Sequence, residues 1–342
     1  MKLMRENFHI KIRAEQRQKE FAKRRIIKLQ ATPQYFRQAV LENPINELLK
    51  DIDQPDYLQF ISFLSSVDDY QCNLYLVEQG VLTAAFDKTF QLINTYTQTS
   101  TQEANLNYLL SIIGNLIDFN NHSNDDIRSI LQRAIEISNY AMTEFKLTLV
   151  WLIDEFLKKE RFNEEFLACV TDYLFNNLCR KDISSAIFDT ILNLQCAQPV
   201  YLSKEHLNEL YKHIKDSDSQ IVQKSLFILV NYLEIASKID LDDELILFLN
   251  ELFKNKDYLA LLRLCNILYP RIQLEPKLIL QRMEMCAFGL KLQEYFDLIN
   301  KLIKDEILST TEYLKSLESI DMENQSENNK TMILQQKSQY QD

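Results

Sequence analysis

Glycine is the residue this sequence most lacks, with three in 342 positions. At the average usage of roughly 7%, about 24 would be expected. Gly80, Gly114 and Gly289 also lie far apart. A dinucleotide-binding fingerprint needs three clustered glycines and a P-loop needs two, so both are excluded. Prolines number only six, and β-rich folds depend on Gly and Pro for their turns. Both shortages predict an all-α protein. Cysteine offers no close pair: Cys169 and Cys179, the nearest of the six, are ten residues apart. That excludes a CxxC metal or redox knuckle. All six sit among apolar residues and read as small buried hydrophobes of a reducing compartment. No apolar run approaches the roughly 20 residues of a membrane span. The charged N-terminus has no apolar h-region, so no signal peptide is expected either.

Site chemistry is equally sparse. No GxSxG, HExxH or Cys/His nucleophile context is present. His206 and His213 can share a helical face, but no third ligand stands near them, so no metal site is expected. The acid pairs Asp125-Asp126, Glu164-Glu165 and Asp242-Asp243 fall at polar breaks before helices, where they favour the helix N-terminus electrostatically. The chain therefore reads as non-enzymatic, with no catalytic residue and no cofactor.

What the sequence does have is an asymmetry of charge. The net charge is −11, which argues against a nucleic-acid binder. Residues 1–30 nevertheless hold ten Lys/Arg against three Glu, a local charge of +7, so the rest of the chain carries −18. A basic arm stands on an acidic body. Residues 5–29 read as one charged helix with too few apolar positions for a core stripe.

From about residue 45 to 305, apolar residues recur at helical spacing between short polar breaks. The breaks include NNHSND (120–125), KKERFNEE (158–165), CRKD (179–182), KDSDS (215–219) and YPRIQLEP (269–276). One stretch per unit aligns: SIIGNLIDF (111–119), WLIDEFLKK (151–159), DTILNLQCA (189–197), FILVNYLEI (227–235) and LRLCNILYP (262–270). The fifth position is polar in each: Asn115, Glu155, Asn193, Asn231 and Asn266, at spacings of 40, 38, 38 and 35. This period predicts a right-handed armadillo/HEAT-like helical solenoid of about six to seven repeats. An asparagine inside an apolar helical stretch needs a hydrogen-bond partner. A partner's backbone in a groove would supply it, and so would a neighbouring helix. The expected organisation is an arm over 1–30, a linker and first helix over 31–50, the solenoid over 51–321 and a polar, disordered tail over 322–342.

The stretch IRAEQRQKEFAKRR (12–25) resembles the importin-beta-binding segment at the N-terminus of importin-alpha. The match keeps Arg13, Arg17, Ala22 and Lys23-Arg24-Arg25 without a gap. The repeats are similar to the same family, whose units carry a WxxxN pattern. Trp151 to Glu155 keeps the tryptophan, and Phe227 to Asn231 keeps the asparagine with another aromatic. Asn115, Asn193 and Asn266 stand without the aromatic. The segment LVEQGVLTAAFDKTFQLI (76–93) looks like a full repeat of the family, with Gly80 at a helix start.

The resemblance implies a nuclear import adaptor, cytoplasmic and nuclear. Its partners would be an importin-beta-like receptor and the basic localisation signals of cargo, with no membrane insertion and no nucleic acid. Arg13, Arg17, Lys23, Arg24 and Arg25 would contact the receptor, and Lys23 to Arg25 would also occupy the groove at rest. Asn115, Trp151, Glu155, Asn193, Phe227, Asn231 and Asn266 would line that groove. In the family, asparagines clamp the signal's backbone and stacked indoles hold its lysine stems. This chain has a single tryptophan, so most of the indole ladder is missing. Each missing slot would weaken signal binding by about 0.5–2 kcal/mol. A divergent paralogue with a private partner and a non-transport scaffold are the alternative expectations.

Overall fold

The computed structural model describes residues 32–119, 124–138, 141, 143–236 and 241–341. The basic arm, with Arg13, Arg17, Lys23, Arg24 and Arg25, lies outside the described residues. Among the described residues there are eighteen α-helices, one 3-10 turn (Ile117–Phe119) and no strand. No described helix is long and apolar enough to cross a membrane. The chain divides into two units, Met1–Val200 and Tyr201–Asp342. The sequence suggested one array over 51–321.

The first unit contains α1 (Pro33–Glu42), α2 (Ile45–Lys50), α3 (Pro55–Ser65), α4 (Tyr70–Glu78) and α5 (Val81–Asn94). It continues with α6 (Ser100–Leu116), α7 (Asn124–Ser138), α8 (Thr143–Leu157), α9 (Glu164–Asn176) and α10 (Ser184–Ala197). Helices α3, α6, α8 and α10 form a row, each packed on the next. Helices α5, α7 and α9 cover that row, α5 on α6, α7 on α8 and α9 on α10. The inner row helices α6 and α8 are apolar on most of their circumference because both flanks and one face are covered. In α8, Phe145, Leu149, Val150, Leu152, Ile153 and Phe156 are all buried. The second unit repeats the scheme. Its row is α12 (Ser219–Ile235), α14 (Leu259–Leu268), α16 (Gly289–Lys304) and α18 (Glu327–Gln341). Helices α11 (Lys204–Ile214), α13 (Asp243–Asn255), α15 (Pro276–Glu284) and α17 (Thr310–Ser319) pack on it.

Local signals start these helices where the sequence places polar breaks. Pro33, Pro55 and Pro276 occupy first-turn positions, where a missing N–H costs nothing. Thr99 and Asn163 accept backbone N–H groups of the first turn, as N-cap side chains do. The acid pairs 125–126 and 164–165 fall in the first turns of α7 and α9, and Asp242 caps α13. Gly80 stands before α5 at φ +82°, a left-handed conformation that glycine adopts without steric cost. All five aligned stretches end a row helix, and one covering helix lies between successive stretches.

The tail differs from expectation. Residues 327–341 form α18, packed on α16 and α17. Composition predicted a solvated segment, but amide side chains find backbone partners here. Gln325 Nε2 donates to the Cys286 carbonyl at 3.2 Å, and the buried Asn329 donates to that of Ala287 at 2.8 Å. Ile333 is fully buried, and Tyr340 donates its hydroxyl to Asn300 at 2.7 Å. The close approach requires Gly289, where a Cβ would stand 2.6 Å from Asn329 Oδ1.

Candidate functional site

The site is a recess at the C-terminal ends of the paired helices α3 and α6. Helix α3 ends at Ser65, and the turn Ser66–Asp69 leads into α4. Helix α6 ends beside it, followed by the 3-10 turn through Asp118 and Phe119. Together they line an open recess of about 270 Å³. Asn115, the first ladder position, lines it.

Most polar groups of the wall are tied down. Asn115 Nδ2 donates to Ser65 Oγ at 3.0 Å, and that hydroxyl donates to the Ser62 carbonyl at 2.8 Å. Ser66 donates to the Phe63 carbonyl at 2.7 Å. Asp69 caps α4 by accepting the Cys72 N–H at 3.0 Å. That hydrogen bond holds its carboxyl below the usual carboxylate range, so the wall keeps its negative charge at neutral pH. Burial, reinforced by Asp69, pushes the Cys72 thiol up to about 11, which leaves it an unreactive thiol. Asn73 donates Nδ2 to the Val67 carbonyl at 3.0 Å, whereas its buried Oδ1 has no hydrogen-bond partner.

Two further features complete the recess. Asp68 is exposed, and Asp118 is paired with Lys159 at 3.2 Å while most of its side chain stays in water. Three carboxylates thus surround the opening, two of them partly offset, Asp118 by Lys159 and Asp69 by the charge of Arg37. Tyr70 and Phe119 form a tilted ring pair with centroids 5.0 Å apart. Tyr70 is 65% exposed. An aromatic pair with one exposed and one half-buried ring beside carboxylates suits the stem and head of a cationic side chain.

The other ladder positions are engaged within the protein. Asn193 is buried and donates to Asp154 of α8. Asn266 Nδ2 donates to the Glu294 carbonyl at 2.9 Å and to its carboxylate at 3.1 Å. Glu294 also accepts Arg263 at 3.0 Å, and Lys301 donates to the Asn266 carbonyl. Glu155 accepts Trp151 Nε1 at 3.1 Å and pairs with Lys158 at 2.7 Å. Phe227 and Asn231 are half-buried on α12. Of the two sources considered for the asparagine hydrogen bonds, Asn115, Asn193 and Asn266 use a neighbouring helix. The structure brings Trp151 and Glu155 together, and places Asn231 and Asn266 in the second unit.

Trp151 lies against the backbone of α6 rather than standing clear as a slot. A Cβ at Gly114 would overlap its ring. Gly114→Ala is therefore expected to lower stability by about 1–3 kcal/mol through overpacking. At an unobstructed helix position the same change stabilises by up to about 1 kcal/mol. Thermal unfolding followed by circular dichroism checks the sign, and an unchanged or raised Tm would contradict the packing.

The sequence reading missed Asp68, Asp69, Tyr70, Asn73 and Phe119. The run Asp-Asp-Tyr after an apolar helix was the available signal, but it reads equally as a helix cap, which Asp69 also is. His206 and His213 take structural places: His206 forms a capping box with Ser203, and burial lowers the His213 pKa. Among the described residues, no cluster of three His, Cys, Asp or Glu side chains is placed to hold a metal.

No family model matches the sequence, and no curated protein matches it. Among solved structures, an engineered protein is similar over 77% of this chain and 97% of its own, at 10% identity and a TM-score of 0.39. That likeness is too slight to carry an argument.

Proposed function

We propose that this chain is an adaptor of the importin-alpha kind, an armadillo/HEAT-like solenoid of about six to seven repeats. It docks on an importin-beta-like receptor through residues 1–30 and takes a basic segment of a partner at the acidic recess beside Asn115. The recess is the observation that carries the cargo half of the reading. Its carboxylates select positive charge, and a cavity of about 270 Å³ has room for the end of one long side chain. The receptor half rests on the 12–25 resemblance, with Arg13, Arg17 and Lys23 to Arg25 in the contact. Lys23 to Arg25 compete for the same recess when the receptor is absent, as the opposite charges of arm and body favour. Receptor binding withdraws them and opens the recess. The protein moves between cytoplasm and nucleus and performs no chemistry.

The engaged ladder supports a restricted version of this role. With Asn193, Asn266 and Glu155 bonded internally, an extended signal meets one recessed site instead of a series of clamps. A private partner with one well-placed cation fits better than a broad set of basic signals. Binding of the full chain to an importin-beta-like receptor at two salt concentrations tests the reading. Tight binding that weakens with salt is expected. Absence of binding overturns the adaptor role and leaves an acidic helical scaffold with a basic arm.

A further inference from the structure

Ser111 stands four residues before Asn115, where the aromatic of the WxxxN pattern would be. It is buried and donates its hydroxyl to the Asn107 carbonyl at 2.8 Å. It offers no surface to a ligand. Yet the recess beside Asn115 is not without aromatics. Tyr70 comes from the start of α4 and Phe119 from the turn after α6, and their rings meet at its edge.

Three independent features converge there. Tyr70 is 65% exposed although it is paired with Phe119. A ring left in water beside a cavity retains apolar surface for a ligand to cover. Asn73 lines the same cavity, is only 9% exposed, and has an Oδ1 without a partner. A buried acceptor without a partner costs free energy until a donor reaches it. The carboxylates of Asp68, Asp69 and Asp118 then fix the sign of the donor.

We propose that Tyr70 and Phe119 form a replacement aromatic wall that holds the stem of one partner lysine or arginine. The cationic head enters the recess towards Asn73 and the three carboxylates. The recognition surface has thus moved from the face of the row helices to the turns at their ends. This inference rests on the adaptor reading, but assigns specificity to residues outside the ladder.

The test uses a short fluorescein-labelled lysine-rich peptide and the same peptide with its lysines replaced by norleucine. Both are titrated by anisotropy into the full chain and into its Lys23→Ala/Arg24→Ala/Arg25→Ala form, which removes the competing arm charges. The lysine peptide is expected to bind the arm variant and the norleucine peptide is not. Adding Tyr70→Ala or Phe119→Leu should weaken the lysine peptide about 3- to 10-fold. Tyr70→Phe should leave it unchanged, since the ring and not the hydroxyl makes the contact. Tyr70 is exposed, so its truncation leaves the fold intact. Peptide binding that is indifferent to both ring changes overturns the inference and leaves the adaptor reading standing. Failure of the peptide to bind, with receptor docking retained by the unmodified chain, also overturns it. Failure of both overturns the adaptor reading as well.

Discussion

In the proposed adaptor role, replacing Lys23, Arg24 and Arg25 together by alanine is expected to weaken binding to an importin-beta-like receptor about 100-fold. The arm carries +7 over residues 1–30, and the triple change removes three of its ten positive charges at one place. Each charge-assisted hydrogen bond to a carboxylate contributes about 1–1.5 kcal/mol net at a partly exposed interface. Removing three of these bonds, with some compensation by neighbouring cations, amounts to about 2.7 kcal/mol, which is two decades in Kd. The dependence on salt should flatten at the same time, because fewer charges remain to be screened. Titration calorimetry at two salt concentrations measures both effects. A charge-preserving triple, Lys23→Arg/Arg24→Lys/Arg25→Lys, should lose less, which separates charge from guanidinium geometry. If the alanine triple binds as tightly as the unmodified protein, these residues do not form the receptor contact.

Asn193→Leu is expected to destabilise the first unit by about 2–3 kcal/mol, the cost of leaving a buried acceptor without its hydrogen bond. Asp154 is 1% exposed on α8, and Asn193 reaches it from the adjacent row helix α10. The leucine keeps the branched outline, at a larger volume, and removes the donor. The transition that reports this unit should fall by about 4–12 °C. The double change Asp154→Leu/Asn193→Leu should recover much of the loss, since replacing both polar partners by apolar groups is close to neutral. A cycle in which the two single losses simply add would show that the pair is not coupled. Recovery would identify Asn193 as a structural tie between row helices, with no cargo to clamp.

The recurrence of this arrangement explains a limit of the sequence reading. Asn115 on α6 reaches back to Ser65 on α3, and Asn193 on α10 reaches back to Asp154 on α8. Asn266 on α14 instead reaches forward to Glu294 on α16. The period of 35 to 40 residues was visible because each unit repeats a helix pair. The direction of each amide was not, since it depends on which neighbouring helix offers an acceptor at the right height. Trp151 is a similar case. Its spacing from Glu155 was evident, but its seat against Gly114 depends on how closely α6 and α8 approach.

Helical content and the places where helices break were determined by the sequence itself. They rest on local causes: scarce glycine, prolines at first-turn positions, capping side chains and the 3.6-residue recurrence of apolar side chains. The docking of α18, the division at residue 200 and the recess beside Asn115 were decided only by the tertiary structure. Each depends on the meeting of residues distant in the chain. Asn329 lies 42 residues from the carbonyl it binds, and Phe119 lies 49 residues from the ring it meets. Local periodicity records which face of a helix is buried. Whether a polar side chain on that face meets a backbone carbonyl, another helix or an open recess depends on the three-dimensional approach of segments that share no local signal.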